Sequence, residues 1–153
     1  MTEVTGRVDM NAFSQKIGLK PNETIEQIQE LAKTGFVSKT GSGYGITEKG
    51  KHALKAYEPV PLDNHFIFYT GVSQPLGASA GSLKQFYDVA KTVDAASLEF
   101  HVGRGDVENW IRTTINDAAF ADMIASIKET AMKDEDLRKA ILSIMESRYS
   151  LQS

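Results

Sequence analysis

Two prolines within three residues, in Glu58-Pro59-Val60-Pro61-Leu62, constrain this chain more than any other feature of its sequence. Each fixes φ, removes a backbone donor and disfavours helix in its predecessor, so the chain should run extended here. The 153 residues are enough for one ordinary domain or two small ones. The break divides them into residues 1–58, a linker at 59–64 and a mostly helical part at 65–153. The expected fold class is α+β, mainly α.

Before the break, Asp9 to Leu19 reads as a short helix. Asp9 caps it, Gly18 ends it, and Met10, Phe13 and Ile17 share one face. A second helix is expected from about Asn22 to Thr34, burying Ile25, Ile28, Leu31 and Ala32 and stopping at Gly35. Phe36 to Thr40 and Tyr44 to Thr47 look like two strands joined by Gly41-Ser42-Gly43, a hairpin signal. Thr47 is placed to cap a last helix with Ala53, Leu54 and Tyr57 facing inward.

After the break, Phe66 to Tyr69 is a strand candidate, and Gly71 to Gly81 reads as a loop rich in glycine, serine and alanine. Four capped helical runs follow. Ser82 precedes Leu83, Phe86, Tyr87 and Ala90; Asp106 precedes Val107, Trp110, Ile111 and Ile115. Asp117 precedes Phe120, Ala121, Ile124 and Ile127, and a last helix carries Leu137, Ile141, Ile144 and Met145.

Composition narrows the function classes. Apolar content of 41% and charged content of 24% are those of a globular chain. Without cysteine there is no disulfide scaffold and no thiolate chemistry. No apolar run approaches the ~20 residues that span a bilayer, and the first residues lack the pattern of a secretory signal. The expectation is a cytoplasmic protein with no membrane partner. Net charge is −3 overall. Residues 1–58 hold eight Lys/Arg against seven Asp/Glu, while the remainder holds nine against thirteen. The first part is therefore the better candidate for meeting phosphate.

The order helix, turn, helix, hairpin, helix, with Leu31-Ala32-Lys33-Thr34-Gly35-Phe36-Val37 and Tyr44-Gly45-Ile46-Thr47-Glu48-Lys49-Gly50, resembles archaeal winged helix-turn-helix regulators. The second part resembles an archaeal family known only as a domain of unknown function. The matching residues are Ser97-Leu98-Glu99-Phe100-His101-Val102-Gly103-Arg104-Gly105-Asp106-Val107-Glu108-Asn109-Trp110-Ile111, with Ser82-Leu83-Lys84-Gln85-Phe86 upstream. That likeness implies a domain and no chemistry. Two departures from the winged-helix pattern stand out. Only Met1 to Val8 is available for the helix that normally opens the fold, so it is missing or supplied by another segment or a partner chain. The outward face of residues 22–33 shows Asn22, Glu23, Glu26, Gln27, Gln29 and Glu30, whose three carboxylates repel a polyanion.

Other signals have plain explanations. His52, His65 and His101 lack metal-ligand spacing, so no metal or other cofactor is expected. The loop Gly71 to Ser82 precedes a helix start, where backbone N–H groups around Ser82 and Leu83, with Lys84, suit an anion, yet it lacks a P-loop ending and reads better as a connector. Arg104-Gly105-Asp106 matches an adhesion tripeptide but is explained by Asp106 as a helix cap. Trp110 reads as a core anchor, and Asp134-Glu135-Asp136 complements a helix dipole.

The resulting expectation is a non-enzymatic winged-helix protein that binds double-stranded DNA, a transcriptional regulator whose second domain mediates homodimerisation or senses a ligand. The DNA-contacting set would be Lys20, Asn22, Gln27, Lys33, Lys39, Ser42, Lys49 and Lys51. The alternative is an adaptor that docks a protein partner on the same surface.

Overall fold

A computed structural model describes residues 18–41 and 43–152. The expected helix Asp9 to Leu19, except Gly18 and Leu19, and the wing-tip residue Ser42 lie outside these. The fold is mainly helical with two small antiparallel sheets. It divides into two compact units, one comprising the described residues up to Lys55 with Arg148–Ser150, the other Ala56–Ser147 with Leu151 onward.

In the first unit, α1 (Pro21–Lys33) begins with proline at its first position, where the missing N–H costs nothing. The Glu23 carboxylate accepts the Lys20 backbone N–H at 3.1 Å. The far end closes through Gly35 at φ +86°, with Gly35 N–H donating to Ala32 O (3.1 Å) and Phe36 N–H to Leu31 O (2.8 Å). This pair of bonds satisfies carbonyls that a helix end otherwise leaves open. β1 (Val37–Thr40) and β2 (Gly43–Ile46) pair with Val37 opposite Ile46 and Thr40 opposite Gly43. Gly41, in the tight connection, takes the left-handed φ of +58°. α2 (Glu48–Lys55) follows directly.

The inward faces of these helices differ from expectation. Thr24 is buried and Ile28 and Ala32 half-buried, whereas Ile25 and Leu31 remain 41% and 42% exposed. The covered stripe of α1 thus runs at i, i+4, i+8 from Thr24, whose hydroxyl is satisfied by Lys20 O, and Ile25 and Leu31 flank it. Leu54 and Tyr57 are also exposed. Helix α2 ends at Lys55, so its period does not carry Tyr57 inward; Gly50 is buried and Ala53 half-buried.

In the second unit, Pro61 leads not into extended chain but into a 3-10 turn, Leu62–Asn64. β3 (Phe66–Tyr69) alternates, with Phe66 and Phe68 buried and Ile67 outward. The stretch expected to be a loop contains β4 (Pro75–Ala80), antiparallel to β3. Its register jumps: Ile67 faces Ser79 while Tyr69 faces Pro75, so three residues of β4 lie opposite Phe68 alone, with Gly77 at φ +76°. Pro-Leu-Gly-Ala-Ser-Ala has little strand propensity; the pairing comes from the backbone groups of the apolar strand beside it.

The helices are α3 (Leu83–Thr92), α4 (Ala95–Arg104), α5 (Asp106–Trp110) continued by a π-turn (Ile111–Ile115), α6 (Ala118–Glu129) and α7 (Asp134–Tyr149). Ser82 and Asp117 cap as expected, accepting from Gln85 N–H and Phe120 N–H. Asp106 does not. It is the first residue of α5, and Gly105 at φ +80° forms the joint between α4 and α5. The core gathers Phe86, Tyr87, Leu98, Ile111, Phe120, Ile124 and Ile141, all at most 1% exposed. Phe66 sits among Phe86, His101 and Trp110 with ring centres 4.8–5.5 Å apart. Tyr87 adds a hydrogen bond from its hydroxyl to Glu146 at 2.6 Å.

Candidate functional site

Two places bring chemistry-bearing side chains together, one in each unit. In the first, the run Thr47-Glu48-Lys49-Gly50 forms a clasp. The Thr47 hydroxyl lies 2.5 Å from Gly35 O and 2.9 Å from Phe36 O and accepts the Gly50 N–H at 3.1 Å, capping α2. Lys49 Nζ donates to Thr34 O, at the end of α1, at 2.6 Å and stands 4.8 Å over the Phe36 ring. A Cβ at Gly50 would run into the Phe36 carbonyl, so only glycine lets α2 approach this closely. The clasp ties α1, the hairpin and α2 into one block.

The residues expected to meet phosphate therefore divide. Lys49 is committed to the Thr34 carbonyl, Lys33 pairs with Glu30 at 3.3 Å, and Lys51 pairs with Glu48 at 3.2 Å. Asn22 and Gln27 are exposed on α1. Lys20 and Lys39 are exposed and have no ion pair among the described residues. Glu23 and Glu30 are each tied to a neighbour, and Glu26 is exposed.

In the second unit, β3, α4 and α5 enclose a cleft of about 470 Å³. His101, 3% exposed, organises its inner wall. Its Nε2 accepts the Tyr69 backbone N–H at 2.7 Å, and its Nδ1 lies 2.8 Å from Asp106 Oδ2. Because a backbone N–H can only donate, Nε2 is unprotonated and Nδ1 carries the proton toward Asp106. Ser97 donates to the Tyr69 carbonyl at 2.6 Å. Trp110 anchors the floor, donating from Nε1 to Asn64 O at 2.7 Å. Arg104 lies beside Asp106, with Nε 3.6 Å from Oδ2, and its guanidinium stands 5.0 Å from the Phe100 ring centre.

The sequence pointed to Arg104-Gly105-Asp106 but not to this use of it. A helix-ending glycine between His101 and Asp106 turns the chain so that residues five apart face each other. Arg104, Asn109 and Tyr69 carried no recognisable spacing. Around the anion site considered at Ser82 and Leu83, the neighbouring donors are used: Gly81 N–H by Gln85 Oε1 (2.7 Å), Lys84 N–H by Ala56 O (2.8 Å) and Gln85 N–H by Ser82 (3.1 Å). Lys84 itself pairs with Asp88 at 2.7 Å. His52 meets Tyr149, of the same unit, edge-on at 6.2 Å, and His65 lines the cleft. Among the described residues no three carboxylates or imidazoles converge as metal ligands, and no helix is long and apolar enough to cross a membrane. No known family, curated protein or solved structure matches this chain.

Proposed function

We propose that the first unit is a winged-helix module that binds double-stranded DNA, in a transcriptional regulator whose second unit self-associates or senses a ligand. The observation that carries this reading is the clasp at Thr47, Lys49 and Gly50. It holds a helix, a hairpin and a second helix as one block and leaves Lys20 and Lys39 as exposed cations without an ion pair among the described residues. Phosphate contacts from such residues supply affinity without sequence reading. Lys33, Lys49 and Lys51 play a smaller part than their number suggests, because each already has a partner in the fold. Two copies on one duplex would double the contacts, which a module this weakly basic requires.

A second reading is favoured by one specific observation. Helix α1 carries Glu26 and Glu30 next to Ile25 and Leu31, which are about two-fifths exposed. A surface of carboxylates interleaved with apolar side chains suits a basic, apolar protein partner better than a phosphate backbone.

Fluorescence anisotropy of the full chain on random duplex DNA at two salt concentrations separates the two. The regulator reading expects binding that weakens steeply with salt and is lost in Lys20→Glu/Lys39→Glu. No binding at low salt and micromolar protein would overturn it in favour of the docking module.

A further inference from the structure

The cleft of the second unit shares no residue with the proposed DNA surface, and its solvent-facing polar atoms indicate what it takes. Among the described residues, Asp106 Oδ1 and both Nη groups of Arg104 make no hydrogen bond, and neither does the Asn109 side-chain amide. All three side chains line the same cleft, whose lining also includes the aromatic side chains of Tyr69, Phe100 and Trp110. Its volume of about 470 Å³ suits a small molecule.

Charge decides the class of ligand. Arg104 and Asp106 stand 3.6 Å apart, 52% and 33% exposed. An anion drawn to Arg104 meets the Asp106 carboxylate beside it, and a cation drawn to Asp106 meets the guanidinium. A molecule carrying both charges a few ångströms apart satisfies the pair. His101 holds Asp106 from behind through Nδ1, so the carboxylate is already oriented before a ligand arrives.

We propose that this cleft binds an aromatic zwitterion with the chemistry of an aromatic α-amino acid. The ligand carboxylate meets the Arg104 Nη groups, its ammonium meets Asp106 Oδ1 and the Asn109 side-chain oxygen, and its ring lies against Phe100 and Tyr69. Charge-assisted hydrogen bonds of this type are the strong ones, and the aromatic walls supply apolar contact. The proposal does not depend on DNA binding, since the two sites share no residue.

Trp110 is the only tryptophan of the chain and lines the cleft, so its emission reports occupancy. The full chain is titrated with L-phenylalanine, following Trp110 fluorescence and, in parallel, the heat of binding. The expected result is a saturable change in both, weakened about tenfold or more in Arg104→Met and to a lesser degree in Asn109→Ala. Both replaced side chains are exposed, and unchanged melting of the variants establishes that they fold. Phenylpropionate and phenethylamine, each lacking one charge of the zwitterion, and adenine, lacking both, are expected to bind more weakly than L-phenylalanine. The proposal is overturned by absence of saturable signal and heat with L-phenylalanine, by undiminished binding in Arg104→Met, or by equal affinity for any of the three comparators.

Discussion

The backbone N–H of Tyr69 donates to Nε2 of His101 across 2.7 Å, joining the end of a strand to the last turn of a helix. The bond assigns the proton of the imidazole to Nδ1, where Asp106 receives it. His101 is thus a bracket with both nitrogens occupied, and the cleft wall depends on it.

Replacing His101 by Phe leaves the Tyr69 N–H and the Asp106 carboxylate without their partner. The expected loss is about 2–4 kcal/mol in urea unfolding. Asp106→Asn keeps an acceptor for the Nδ1–H and should cost about 1 kcal/mol. Nitrogen NMR of the ring should show the Nδ1–H tautomer; observation of the Nε2–H form would refute the bracket.

Lys49 and Lys39 should separate cleanly. Lys49→Ala removes a carbonyl partner at the end of α1 and is expected to cost about 1 kcal/mol of stability. Lys39→Ala, on an exposed strand position, should change stability by less than about 0.5 kcal/mol while weakening DNA binding. Equal effects of the two on stability would contradict the clasp.

Gly50→Ala puts a methyl against the Phe36 carbonyl, where no flexible side chain can yield. A loss of about 3 kcal/mol or more is expected, with hydrogen exchange accelerating first between Phe36 and Gly50. Normal protection there would mean that α2 moves away at little cost.

Burial alone would raise the Asp88 carboxyl, but Lys84 and Lys91 outweigh it, so Asp88 titrates below its usual range. A depressed carboxylate stabilises the fold above its ordinary pKa and loses that contribution as pH falls through the folded value. The Asp88 side chain is 46% exposed and screened. Asp88→Asn should therefore cost no more than about 0.5 kcal/mol at neutral pH, with the difference fading in acid. Chemical denaturation at neutral and acid pH measures this, and a large or pH-independent cost would contradict it.

The parts of the fold legible in the sequence were those written in local chemistry. Ser82 and Asp117 announced their helices, because a short polar side chain ahead of an apolar period has one economical use. Gly35 and Gly41 marked turns that require positive φ. Strand β4 was not legible, since its pairing comes from Phe66–Tyr69 and not from its own residues. The cap reading of Asp106 failed, and the Thr34 contact of Lys49 was not visible, for a related reason: each side chain bonds to a group that is near only after folding, His101 Nδ1 and Thr34 O. The cleft was illegible altogether, because Tyr69, Arg104 and Asn109 meet through the turn at Gly105 and carry no shared spacing.

The two-stranded sheet of the second unit also bears on how this protein behaves at high concentration. An open strand edge is a template on which other chains add by backbone pairing, and Pro75–Ala80 carries no charge to oppose it. On β3 the groups of Tyr69 that such a chain would seek are already taken by His101 and Ser97. On β4 the kink at Gly77 breaks the run of evenly spaced groups that a third strand needs. The same contacts that shape the cleft wall thus guard the sheet against growing into an aggregate.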